Sequence, residues 1–272
     1  MTYLTTHLPF PSSSTSLPPP RSQLIISDTL SSPGNFAVYH LVSSALGKEK
    51  RKVIWVDFKG EGRSSWEAIL KKIGTPLPPL TSHSFIHISP SSLPSSIKIP
   101  NKNTPSLFDI DEKPILRETY DYITSHLTDG SLLILDGLSE LDWLGFSPLE
   151  LSKFVRAVFA KVKLSNSILV STIHADHLPL SSTIIPSKEA GESDLLYRLL
   201  RLGQGCWWRV SHLPSGRSGD VMGEISSHPL TNPIGLKDSQ KSPYIPRSNP
   251  LQYRLEPNTV RVFPKGTGRG FL

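Results

Sequence analysis

Short apolar runs alternate with amphipathic stretches along most of the chain. Leu24–Ser27 reads as a short strand, and 33–46 as a helix with Phe36, Tyr39, His40 and Val42 near helical spacing and Gly47 as its stop. Lys52–Phe58 predicts a second strand. Ser64–Ile73 predicts a helix capped by Ser64, with Trp66, Ile69, Leu70 and Ile73 on one face and Gly74 at its end. Phe85–Ile88 is a third, short strand, and residues 89–111, rich in Ser, Pro and Asn, read as a surface loop.

Pro114–Leu127 predicts a helix with Ile115, Tyr122 and Ile123 inward, and Ser131–Leu135 an apolar strand with Asp136 at its carboxyl end. Ser147-Pro148-Leu149-Glu150 has the form of a capping box with proline at the first helical position. Leu151, Phe154, Val155, Val158, Phe159 and Val162 then recur at helical spacing. Ser167–Ile173 is the fifth strand, 174–194 a long loop, and 193–202 a helix.

After that the pattern changes. Cys206–Leu213, Asp220–Ser226, Leu251–Leu255 and Val260–Phe263 alternate and predict antiparallel strands, with a Pro/Ser-rich insert at 227–250. Strand–helix alternation followed by such a meander specifies an α/β fold: a doubly wound, mainly parallel sheet with a C-terminal antiparallel extension. No internal repeat is visible. Residues 22–272 read as one domain with inserts near 89–111, 174–194 and 227–250, and 1–21 as a flexible Ser/Thr/Pro-rich leader without the charge and apolar run of a secretory signal.

Composition narrows the class. At 272 residues with 37 % hydrophobic and 19 % charged residues, the chain can bury a full core. No apolar run is long enough to span a membrane. The single cysteine, Cys206, excludes an intrachain disulfide framework and fits a reducing compartment; beside Trp207 and Trp208 it reads as a buried structural thiol. The formal charge of +6 is uneven, because residues 195–272 hold 11 Lys+Arg against 4 Asp+Glu. A basic C-terminal part suits nucleic acid or an acidic protein, and equally a solvated cationic surface.

The candidate chemistry begins after the first strand. Laid over the phosphate-loop template Gly-x-x-x-x-Gly-Lys-Ser/Thr, Thr29 takes the first glycine place and Gly34 the second. Asn35 then stands in the place of the lysine, and Phe36 in that of the magnesium-binding hydroxyl. A nucleotide site needs that lysine for the β- and γ-phosphates and that hydroxyl for the ion. Asp136 occupies the Walker B place, and backbone N–H groups at a helix start can still hold an anion. A strand-to-helix turn that needs Pro33-Gly34 for its geometry is the simpler alternative. No nucleotide, metal or other cofactor is expected.

Other constellations are weaker. His174, Asp176 and His177 could ligate a metal, but no cysteine or carboxylate cluster completes a coordination sphere, and a solvated loop start explains them better. Ser139, Asp176 and His177 or His212 fall in hydrolase order, but Gly137-Leu-Ser139-Glu-Leu141 lacks the second glycine of a nucleophile elbow. Trp143 and Phe146, at the carboxyl edge of the sheet, are candidate partner anchors. Trp207 and Trp208 read as core.

Leu24-Ile-Ile-Ser-Asp28, Ser32-Pro-Gly-Asn-Phe36, Val53-Ile-Trp-Val-Asp57, Lys71-Lys-Ile-Gly74 and Gly130-Ser-Leu-Leu-Ile-Leu-Asp-Gly-Leu138 carry a further resemblance. Over residues 22–175 the chain resembles the Elongator complex protein 6 family. The resemblance implies a RecA-like fold with a degenerate phosphate loop and no ATPase activity. It implies assembly with Elongator subunits four and five, two copies each, into a heterohexameric ring that works with the catalytic Elongator subcomplex. The ring is expected to engage tRNA during wobble-uridine modification, in the cytoplasm and also the nucleus. RecA-like rings bind their polymer through the loops after the fourth and fifth strands, here 137–146 and 174–194. Lys188, Arg201, Arg209 and Arg217 are the candidate phosphate-seeking charges. The alternative is a divergent, active RecA-like NTPase of the recombinase-paralogue type.

Overall fold

A computed structural model of the chain describes Leu4, Leu8, Phe10 and residues 16–94, 104–176, 193–213, 220–257 and 259–265. Its frame is one nine-stranded sheet in the order β11-β10-β9-β8-β1-β7-β6-β2-β3. The strands are β1 (Gln23–Asp28), β2 (Val53–Asp57), β3 (Phe85–Ile88), β6 (Leu132–Asp136), β7 (Ile168–His174), β8 (Gly205–Ser211), β9 (Gly223–Leu230), β10 (Leu251–Glu256) and β11 (Thr259–Pro264). From β3 through β8 every pairing is parallel, and from β8 to β11 every pairing is antiparallel. The expected doubly wound sheet with an antiparallel extension is therefore the fold.

Strand alternation sends successive side chains to opposite faces, and each face carries its own core. Leu24, Ile26, Trp55, Ile134, Val170 and Trp208 pack beneath α1 (Asn35–Ser43) and α2 (Arg63–Lys72). Ile25, Ile54, Leu133, Leu169 and Trp207 face α3 (Arg117–His126), α4 (Leu138–Trp143), α5 (Pro148–Leu164) and α6 (Ser193–Leu200). Trp55 stacks on Trp66 with ring centroids 3.5 Å apart, which fixes α2 on the first face.

The capping box forms as its sequence specifies: the Glu150 N–H donates to Ser147 Oγ and the Ser147 N–H donates to Glu150 Oε2. Several expectations are corrected. Ser64 does not cap α2; the cap position is Gly62, whose φ of 77° places it in the left-handed region that suits glycine. The stretch 89–111 is not a plain loop, because β4 (Ser91–Pro94) and β5 (Ser106–Phe108) pair there as a small parallel sheet. The loop expected at 137–146 contains α4. Leu4, Leu8, Phe10 and Leu17, from the stretch expected to be a leader, are buried, and Phe10 stacks on Trp208 at 5.5 Å. Apolar side chains spaced through a Ser/Pro-rich stretch gain more from burial than its composition conveys.

The junction between the parallel and antiparallel halves depends on Gly205, whose φ is +149° and whose Cα lies against the Gln23 carbonyl. An added Cβ would run into that oxygen. Gly205→Ala is expected to cost about 4 kcal/mol and to lower the melting temperature by about 10 °C in a thermal-unfolding scan. An unchanged melting temperature contradicts this packing.

Candidate functional site

The register sets the site. Asp28 ends β1 opposite His174, which ends β7, and Asp136 ends β6 opposite Asp57, which ends β2. Four titratable side chains are thus brought to the carboxyl edge of the parallel strands, the edge at which doubly wound sheets bind ligands.

The turn between β1 and α1 is closed upon itself. Ser32 N–H donates to the Thr29 carbonyl at 2.9 Å, and the Gly34 N–H donates to Asp28 Oδ2 at 2.6 Å. A backbone donor at a helix start, the kind of group that holds an anion, is therefore occupied by a carboxylate of the chain itself. Asp28 is buried and its other oxygen meets His174 Nδ1 at 2.6 Å. Phe36, at the hydroxyl place of the template, is buried and packs on Tyr253 of β10 at 4.7 Å. It joins the helix start to the C-terminal strands.

Asn35 faces a lysine supplied from elsewhere. Lys59, just beyond β2, donates from Nζ to Asn35 Oδ1 at 2.9 Å and pairs with Asp136 Oδ1 at 3.0 Å. Both members of the pair are largely buried, with side-chain exposures of 11 % and 4 %. Burial alone would lower the Lys59 pKa; the adjoining Asp136 carboxylate outweighs it and holds the ammonium above its usual range. Asp136 also accepts from Trp55 Nε1 at 3.1 Å and from Thr172 Oγ1 at 2.7 Å. Thr172 in turn accepts the Gly137 N–H. The Walker B-like carboxylate is fully engaged by protein donors. Gly137 has φ +93°, and a Cβ there would lie 2.6 Å from Lys59 Cγ and 2.7 Å from Glu140 Oε2, so the close approach needs glycine.

His174 links three segments. Besides Asp28, its Nε2 lies 3.6 Å from Glu140 Oε1, its backbone N–H donates to Ser139 Oγ, and its ring stacks on Trp143 at 5.7 Å with planes 13° apart. The Asp28 hydrogen bond, then the Glu140 carboxylate beside Nε2, raise its pKa to about 10, so it is an imidazolium at neutral pH. The solvated loop start expected here is corrected: His174 is the last residue of β7 and is mostly covered by these partners. Asp176 accepts the Leu30 N–H at 3.0 Å and fastens the same turn from outside. Ser139 is buried and bonded to the His174 backbone rather than to a histidine ring, which does not favour a hydrolase elbow. Among the described residues no group of three or more His, Cys, Asp or Glu side chains is arranged to hold a metal ion.

The remaining candidates divide. Trp143 is 60 % exposed, as an anchor would be. Phe146 is corrected: it is buried against Phe108 at 5.9 Å, because the chain turns inward between α4 and α5. Arg201 is exposed with its guanidinium 5.5 Å from the Tyr197 ring centre. Arg209 is half-buried in β8, and burial lowers its pKa. Lys188, Arg217 and His177 lie outside the described residues. Asp28, Lys59 and Glu140 were not singled out by motif matching. The available signal was that three strands end in aspartate, at Asp28, Asp57 and Asp136, with a lysine two residues beyond the middle one.

Removing one member of the buried pair leaves the other charge unpaired. Lys59→Met is expected to cost about 3–5 kcal/mol in denaturant unfolding, and Lys59→Met with Asp136→Asn distinctly less; equal costs contradict the pairing. His174 gives a pH test. Its raised pKa means that its contribution is complete below about pH 6.5 and is lost as pH rises toward about 10. The melting-temperature gap between the unaltered chain and His174→Gln should therefore be widest near about pH 6 and close by about pH 10. A gap that widens with pH contradicts the imidazolium.

No protein-family model and no curated protein matches the chain. Among solved structures, a KaiC-like protein from the hyperthermophilic archaeon Pyrococcus horikoshii OT3 is similar, with a TM-score of 0.53 and 8 % identity over 90 % of this chain and 91 % of that one. At so low an identity the likeness shows the fold alone: a RecA-like α/β domain.

Proposed function

We propose that the chain is a non-catalytic RecA-like subunit of the Elongator accessory heterohexamer, assembling with Elongator subunits four and five and supporting wobble-uridine modification of tRNA. The observation that carries the non-catalytic part is the Asp28 carboxylate bonded to the Gly34 N–H. A phosphate group approaching this turn meets a negative charge in place of a free donor. The two cations beside it are already paired, His174 with Asp28 at 2.6 Å and Lys59 with Asp136 at 3.0 Å. The Elongator part rests on the motif resemblance over residues 22–175, and the RecA-like fold is compatible with it. The basic C-terminal part supplies the charges that tRNA would meet.

One observation favours the divergent-NTPase reading. Lys59 brings an ammonium to Asn35, the place where the template has its own lysine. That cation serves a nucleotide only if Asp136 releases it and Asp28 vacates Gly34. Both changes cost buried ion-pair or hydrogen-bond energy before any phosphate contact forms.

Calorimetric titration of the purified chain with Mg-ATP at millimolar concentration is expected to give no binding heat, and phosphate release no turnover. Hydrolysis abolished by Asp136→Ala would establish the NTPase reading instead. Co-expression with subunits four and five should yield a particle whose mass corresponds to two copies of each of the three chains. A monomer that associates with neither contradicts the assembly reading.

A further inference from the structure

The carboxyl edge of the sheet is electrically inverted relative to a nucleotide site, and it carries an exposed aromatic. Among the described residues around it, Asp28 is paired with His174 and Asp136 with Lys59, while Glu140 lies 3.6 Å from the same imidazolium and the Asp176 carboxylate accepts the Leu30 N–H. Negative charge remains in excess at the rim of a small cleft of about 60 Å³ bounded by Ser139, Trp143, His174 and Asp176.

Trp143, which lines this cleft, is 60 % exposed; Leu30, whose N–H bonds the cleft's Asp176, is 67 % exposed; and Leu144, the residue after Trp143, is 43 % exposed. Trp143 is not a loose surface residue. It closes α4, and one face of its ring is held parallel to the His174 ring, which Asp28 and Glu140 fix in turn. A large apolar side chain held in place before binding loses little conformational freedom on contact, which suits a hot-spot anchor.

We propose that this edge is the docking face for a protein partner, and that the partner presents an arginine or lysine amid apolar side chains to the cleft beside Trp143. The proposal deepens the reading of the chain as an assembly subunit and rests on it. Charge complementarity selects the occupant. A phosphate, an acidic peptide or a nucleic-acid backbone is repelled by the carboxylates. A cation is attracted by them and by the open face of the indole, while Leu30 and Leu144 bury apolar surface around it. The carboxylates that disfavour ATP here thus serve to select a basic neighbour.

The test uses the chain co-purified with subunits four and five. Trp143→Ala and Asp176→Asn are each expected to weaken assembly about tenfold or more, measured as the concentration at which the particle dissociates by mass photometry. Asp176→Asn should keep the melting temperature of the unaltered chain, since it keeps an oxygen for the Leu30 N–H, and Trp143→Ala should lower it only by the small contribution of the His174 stack while the chain stays folded. Ile234→Ala, at a fully exposed side chain elsewhere, should assemble normally. Association of the unaltered chain should slow as salt is raised, and that dependence should be weaker in Asp176→Asn. If the unaltered chain assembles and both variants assemble equally well, the docking face is overturned while the subunit reading stands. If the unaltered chain does not assemble with the two subunits, the subunit reading falls and this proposal falls with it.

Discussion

The turn after the first strand is held by the chain's own carboxylate, and the rest of the edge is organised around that choice. Asp28 takes the Gly34 N–H with one oxygen and His174 with the other. An aspartate buried there requires a cation, and His174 supplies it because β1 and β7 pair in a register that sets the two residues side by side. Glu140 then faces the other ring nitrogen of the imidazolium at 3.6 Å. Glu140 and Lys59 both crowd Gly137, so α4 can start there only with a residue that has no side chain. A single buried negative charge thus propagates through hydrogen bonds and packing to the position of an exposed tryptophan.

The same logic separates two uses of one architecture. In a phosphate loop the backbone donors and a lysine are left available, and the ligand completes them. Here the Gly34 N–H has Asp28, Lys59 has Asp136, and Asp136 has Trp55 and Thr172 as well. A network whose members are satisfied internally is rigid and gains little from a small anionic ligand. On the proposed reading, the outward surface rather than the pocket carries the biological role.

Much of the fold was legible because its signals are local. The alternating apolar strands, the Ser147 capping box and the Asn35 and Phe36 departures from the motif can each be read within a few residues. What was not legible depends on pairing at long range. Lys59 looks like a loop residue until the β2–β6 pairing places it beside Asp136, more than seventy positions away. His174 looks solvated until β7 lies against β1. Phe146 resembles Trp143 in the sequence, but one is buried and the other is not, because the turn at Gly145, with φ +97°, closes α4 and brings the Phe146 N–H back onto the Leu141 carbonyl. The β4–β5 pair was hidden by composition, since Ser and Pro weaken the alternation that marks a strand.

The central claim is that an internal carboxylate occupies the place of a phosphate, and the Gly34 amide reports on it directly. Its proton resonance in ¹⁵N-labelled chain should lie well downfield, shift upfield on Asp28→Asn as the charge-assisted bond is lost, and stay in place as Mg-ADP is added. A Gly34 resonance that moves saturably with Mg-ADP would show the turn open to phosphate and would contradict the account.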